Sequence, residues 1–151
     1  MLKVEEDFEE FLKLLNKHKV KYMIVGAYAL ALYAKPRNTG DLDIFIERSE
    51  KNAKLMLQLL EEFGMKSLAL TIEDFITEGR VIQIGVSPVK IDIMNTIDGI
   101  LFDDAYKRIV TVKFGNVSTN FISKDDLIKN KISSARIKDK ADLDDLQQLA
   151  E

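Results

Sequence analysis

The chain has 151 residues and no cysteine, is 46% apolar and 31% charged, and carries a formal charge of −3. That length suits a single domain with a real core, and the lack of cysteine excludes a disulfide framework and a thiolate metal site, in keeping with a cytoplasmic setting. No apolar run approaches the ~20 residues of a membrane helix. The N-terminus is too acidic for a signal peptide, and the net negative charge argues against a chain that grips nucleic-acid backbone by itself.

In chain order, Val4, Phe8, Phe11, Leu12 and Leu15 recur at helical spacing over residues 4–18, with acids early and lysines late. His18, the only histidine, falls at the end of that helix and is read as a polar terminal residue without chemistry. Residues 22–25 predict a strand, Gly26 a tight turn, and a helix follows from about Ala27 to Tyr33, stopped by Pro36. Tyr28 is expected in the core or as a groove wall. Asp41–Ile46 predicts a second strand, and Ser49 caps a helix to about Phe63, with Leu55, Leu59 and Leu60 inward and Gly64 ending it. Residues 65–78 admit a strand at 67–70 and a short helical turn from Thr71.

Residues 80–94 predict a hairpin turning at Ser87-Pro88-Val89, and Leu101–Arg108 a helix. Strands at 109–114 and 117–122 meet over Gly115-Asn116. Ser123 with Asp126 opens a helix to about Arg136, and a last helix spans roughly 139–150. With no internal repeat, low-complexity tract or linker, residues 1–151 read as one domain.

Two of these strands carry acids where a sheet normally places apolar residues or threonine. Side chains alternate across a strand, so Asp41 and Asp43 share one face while Leu42, Ile44 and Ile46 share the other. Lys90-Ile91-Asp92-Ile93-Met94 repeats the device with a single acid. If the two strands are neighbours, three carboxylates converge on one side of the sheet. Like charges that close repel unless a cation sits between them, so Asp41, Asp43 and Asp92 are expected to hold Mg²⁺ or Mn²⁺. A single such Asp is commonly a solvated residue or a turn cap; three on two isoleucine-rich strands after a glycine turn favour an active or metal-binding site.

Gly26-Ala27 at a strand-to-helix turn, Asp41-Leu42-Asp43 on the next strand and Asp92 on a later one resemble the signature of the DNA polymerase beta-like nucleotidyltransferase superfamily. The run Arg37-x-Thr39-x-Asp41-x-Asp43 sharpens the resemblance, which covers roughly the first two-thirds of the chain. Ala27 departs from it, standing where the family carries Gly or Ser, so the backbone N–H is kept and a hydroxyl contact is lost.

The resemblance implies an α/β (α+β) nucleotidyltransferase fold, a central mixed sheet with flanking helices and a C-terminal helix pair. It implies transfer of a nucleoside monophosphate from a nucleoside triphosphate such as ATP to a hydroxyl, with two metals aligning the in-line displacement. Asp41 and Asp43 would hold the triphosphate-bound metal, and Asp92 would serve the second metal and the attacking hydroxyl. The N–H groups after Gly26, at Ala27 and beyond, would hold phosphate at a helix N-terminus, with Arg37 and Thr39 as further phosphate contacts.

Lys131 falls within an apolar stripe of Leu127, Ile128, Ile132 and Ala135, so its ammonium must reach outward or meet something negative, such as the triphosphate. Lys131, Arg136 and Lys138-Asp139 also match residues that recur in the C-terminal helices of small bacterial nucleotidyltransferase-fold proteins. For the last three a solvated face and a helix cap are the simpler expectation. The acceptor is open among a small molecule, a protein and an RNA end. So short a chain is expected to complete its acceptor site in a homodimer or with a second chain. The alternative is a catalytically weak binding module, a toxin–antitoxin or regulatory subunit, which Ala27 favours and the intact acids oppose.

Overall fold

Isoleucine at alternate positions decides which side of each central strand is buried. In the computed structural model, which describes residues 6–34, 40–86, 89–134 and 137–148, the strands are β1 (Tyr22–Val25), β2 (Asp41–Ile46), β3 (Val81–Val86) and β4 (Val89–Met94). Register places Ile24 beside Ile44, Ile44 beside Ile93, and Ile82 and Ile84 beside Ile93 and Ile91. All six are buried on one face. The hairpin of β5 (Val110–Phe114) and β6 (Val117–Phe121) joins the same sheet through β6. The six strands run in the order β3-β4-β2-β1-β6-β5, with β2–β4 and β1–β6 parallel and the other pairs antiparallel.

The helices are α1 (Glu6–Lys17), α2 (Gly26–Tyr33), α3 (Glu50–Glu62), α4 (Ile72–Ile76), α5 (Phe102–Tyr106), α6 (Lys124–Ser134) and α7 (Ile137–Gln148). Helix α1 buries Phe8, Phe11, Leu12, Leu14 and Leu15, and the Phe11 ring meets Phe63 just past the end of α3 edge to face. Ser49 caps α3 by accepting from the Asn52 amide. The buried Asn52 side chain then accepts from the Lys21 amide and donates to the Lys21 and Glu47 carbonyls, tying α3 to the ends of β1 and β2. His18 and Lys17 both meet Glu62, so the end of α1 is tied to α3 as well. Tyr28 is a core residue, with its ring edge to face against Phe8 and Phe114.

Three local expectations change. No strand forms at 67–70: a 3₁₀ turn at Lys66–Leu68 is followed by Ala69 at φ +52°, a left-handed residue that turns the chain before α4 begins at its Thr71–Asp74 capping box. Ile132 is 58% exposed rather than inward, because α6 turns Leu127 and Lys131 to the interior. Leu55 is only half-buried, whereas Leu59 and Leu60 are buried. Other helix and strand ends move by one or two residues, as ends do. Val4, Pro36, Arg37, Thr39, the Ser87-Pro88 turn, Ala135 and Arg136 lie outside the described residues, as do the side chains of Lys138 and Asp139.

Candidate active site

The parallel pairing of β2 with β4 sets Asp43 directly beside Asp92, and Asp41 beside Lys90. Because the isoleucines take the buried face, these four charged side chains share the opposite one. On its other side Asp43 is paired with Val25, the last residue of β1, so the turn into α2 lies against it. Gly26 makes that turn at φ +68°, and a Cβ built on it would collide with Oδ2 of Asp43. Glycine is therefore needed twice, for the backbone conformation and for the carboxylate that fills the missing side chain's place. Helix α2 starts at Gly26 with no side-chain cap on its first amides and no acid in its first turn. Ala27 follows in that turn, half-buried.

The electrostatics of the cluster are unbalanced. Burial pushes the Asp92 carboxyl above its ordinary value, and the charge of Asp41 adds to the effect. The Lys90 ammonium and a hydrogen bond with Asp43 act the other way. Two carboxyl groups in hydrogen-bond contact need a shared proton or a cation between them. Oδ1 of Asp92 is buried without a hydrogen-bond partner among the described residues. The Lys90 ammonium is 3.7 Å from Oδ2 of Asp41 and 3.8 Å from Oδ1 of Asp92, beyond hydrogen-bond length but within ion-pair range.

Among the described residues no group of three His, Cys, Asp or Glu side chains forms a ready-made metal cage. The donor chemistry nonetheless fits a hard divalent cation. It is all carboxylate oxygen, it contains an orphaned buried oxygen, and Mg²⁺ sites at phosphate centres take one or two carboxylates and draw their remaining ligands from water and phosphate. A groove of about 570 Å³ opens where Phe45, two residues beyond Asp43 on the same face, meets Asn95, Leu101 and Phe102.

Lys131 is buried, and its ammonium lies 3.3 Å from Oδ2 of the equally buried Asp142 on α7. The negative group it meets therefore belongs to the protein. Lys90 was missed as a member of the cluster, although its position two residues before Asp92 puts it on the same strand face. Asp142 left no local signal, since its partner lies on another helix.

A mixed sheet with an acid pair in register across two parallel strands, next to a glycine turn that opens a helix, defines a protein of the nucleotidyltransferase-fold superfamily. The chain belongs to the family described as nucleotidyltransferase of unknown function (DUF6036), which matches residues 1–150. No curated relative matches its sequence. In fold it is similar to TM1012 of Thermotoga maritima, described as a candidate nucleotidyltransferase, at a TM-score of 0.59 and 16% identity over 93% of this chain and 89% of that one. It is also similar to an antigenic nucleotidyltransferase-like protein from Paracoccidioides brasiliensis, at 0.57 and 15% over 95% and 74%. The lincomycin-bound lincosamide antibiotic adenylyltransferase LnuA matches at 0.57 and 13% over 97% and 98%.

Proposed function

We propose that this chain moves a nucleoside monophosphate from a nucleoside triphosphate, ATP among them, to an acceptor hydroxyl, using Mg²⁺ or Mn²⁺ held by Asp41, Asp43 and Asp92. The observation that carries the reading is the Asp43–Asp92 register beside Gly26, which gathers carboxylates next to uncapped helix amides. Bound there, a divalent cation would supply charge neutralisation at the phosphoryl group under attack.

The protein's own groups do the rest. Amides at the start of α2 receive the β- and γ-phosphates. The acceptor oxygen bonds to the α-phosphorus as the bond to the bridging oxygen breaks and pyrophosphate leaves. Asp92 accepts the hydroxyl proton. The groove beyond Phe45 is lined by none of the three acids, and a second chain could complete the acceptor side of the site. In this reading Lys131 braces α6 against α7 through Asp142 rather than reaching phosphate.

Ala27, which has no hydroxyl to offer phosphate, favours a second reading in which the fold binds nucleotide without transferring it. The two separate by experiment. With Mg²⁺ a triphosphate should raise the thermal midpoint, because it binds only the folded state. Asp43→Asn should abolish that shift and leave the fold intact. Labelled triphosphate with cell extract should label an acceptor. Indifference of the midpoint to every triphosphate refutes both readings, and a shift with no labelled product leaves the binding module.

A further inference from the structure

Among the described residues, one cation of the chain itself stands beside these acids. Lys90 stands opposite Asp41 in register and two residues before Asp92, and its ammonium lies within 4 Å of both carboxylates. Neither contact is a hydrogen bond, so the ammonium neutralises the cluster without being locked to it. Lysine suits that task better than arginine, being a compact charge on a flexible stem rather than a planar fork that grips carboxylates in pairs. Its neighbour across the other edge of β4 is Gly85, which presents no side chain beside it.

We propose that Lys90 is a tethered countercation that holds Asp41 and Asp92 together in the metal-free protein and withdraws when a divalent cation binds. The inference rests on the metal site proposed above and adds a residue that sets its affinity. Two positive charges cannot occupy one carboxylate cluster at close range, so the metal must displace the ammonium or bind against its repulsion. Lys90 thereby makes the free cation a weak ligand. It favours the cation that arrives with a triphosphate, whose negative charge gives the released ammonium a new partner.

The test is titration calorimetry with Mn²⁺ alone, without nucleotide, on wild type, Lys90→Gln and Lys90→Arg. Lys90→Gln should bind Mn²⁺ about tenfold more tightly, and Lys90→Arg about tenfold more weakly. In metal-free protein at low salt, Lys90→Gln should also lower the thermal midpoint, and the difference should close as salt screens the acids. Equal Mn²⁺ affinity in the three proteins, or weaker binding by Lys90→Gln, overturns the inference. If Lys90→Gln fails to fold, the weaker binding expected of Lys90→Arg decides the matter alone. The ranked affinities without any nucleotidyl transfer would sustain the countercation and defeat the transferase reading. Transfer without the ranking would do the reverse.

Discussion

A methyl group at residue 26 would have to share space with Oδ2 of Asp43 while its backbone sits at φ +68°, a region that side chains avoid. Gly26→Ala should therefore cost about 2 kcal/mol or more in chemical denaturation, and it should also remove the triphosphate-dependent midpoint shift by displacing Asp43. A variant with unchanged stability and an unchanged shift would mean that the turn tolerates a Cβ. Asp92 offers a second test, through pH. Its folded carboxyl binds a proton more readily than an ordinary aspartate with a value of 3.8. Between that value and the raised one, the native state holds more protons than the unfolded chain, so stability falls as pH rises through the window. Asn resembles the protonated carboxyl. In metal-free protein Asp92→Asn should be more stable than wild type at neutral pH, with the gain vanishing toward about pH 3. Denaturation midpoints across pH, with and without Mn²⁺, check this; added metal should narrow or reverse the gain, because only wild type keeps all three ligands.

At the scale of elements, the C-terminal helices are joined by charge as well as by apolar contact. Lys131 on α6 and Asp142 on α7 form an ion pair with both side chains buried. Breaking such a pair takes the ammonium from a buried carboxylate, so Lys131→Ala should destabilise by up to about 3–5 kcal/mol, whereas the double change Lys131→Met with Asp142→Leu should recover most of that loss. Urea denaturation of the single and double variants measures it, and a double variant no better than the single would show that the pair does not act as a unit. The start of α6 is held separately: Ser123 caps it by accepting from the Asp126 amide, and the Asp126 carboxylate receives a two-pronged contact from Arg108, just past α5, each prong 3.0 Å long. Part of this was legible in the sequence. Ser123 and Asp126 signal a helix start because capping is settled within four residues. The Arg108 contact and the Asp142 partner were not legible, since both depend on how separate elements pack. The apolar stripe assigned to α6 failed at Ile132 for the same reason.

For the molecule as a whole, alternation of isoleucine with acid was enough to show which face of β2 and of β4 carries the acids, and the β2–β4 register then brings the three carboxylates to one face of the sheet. It could not say that β6 would join β1 in parallel and carry its hairpin to the far edge, because no turn or local pattern links those strands. Lys90 shows the same boundary from the other side: its face could be read from spacing, but its distance from Asp41 depends on the β2–β4 register. That parallel register also governs when the site can exist. Antiparallel neighbours can be joined by a tight turn, but β2 and β4 come together only after α3, α4 and β3 have been threaded between them. Closing so long a stretch is entropically slow, and contacts of this kind form late in folding. Asp92 is therefore kept from Asp41 and Asp43 until the central sheet assembles. Their mutual repulsion opposes the last steps of assembly rather than the first, and a protein that has gathered them has already folded its central sheet.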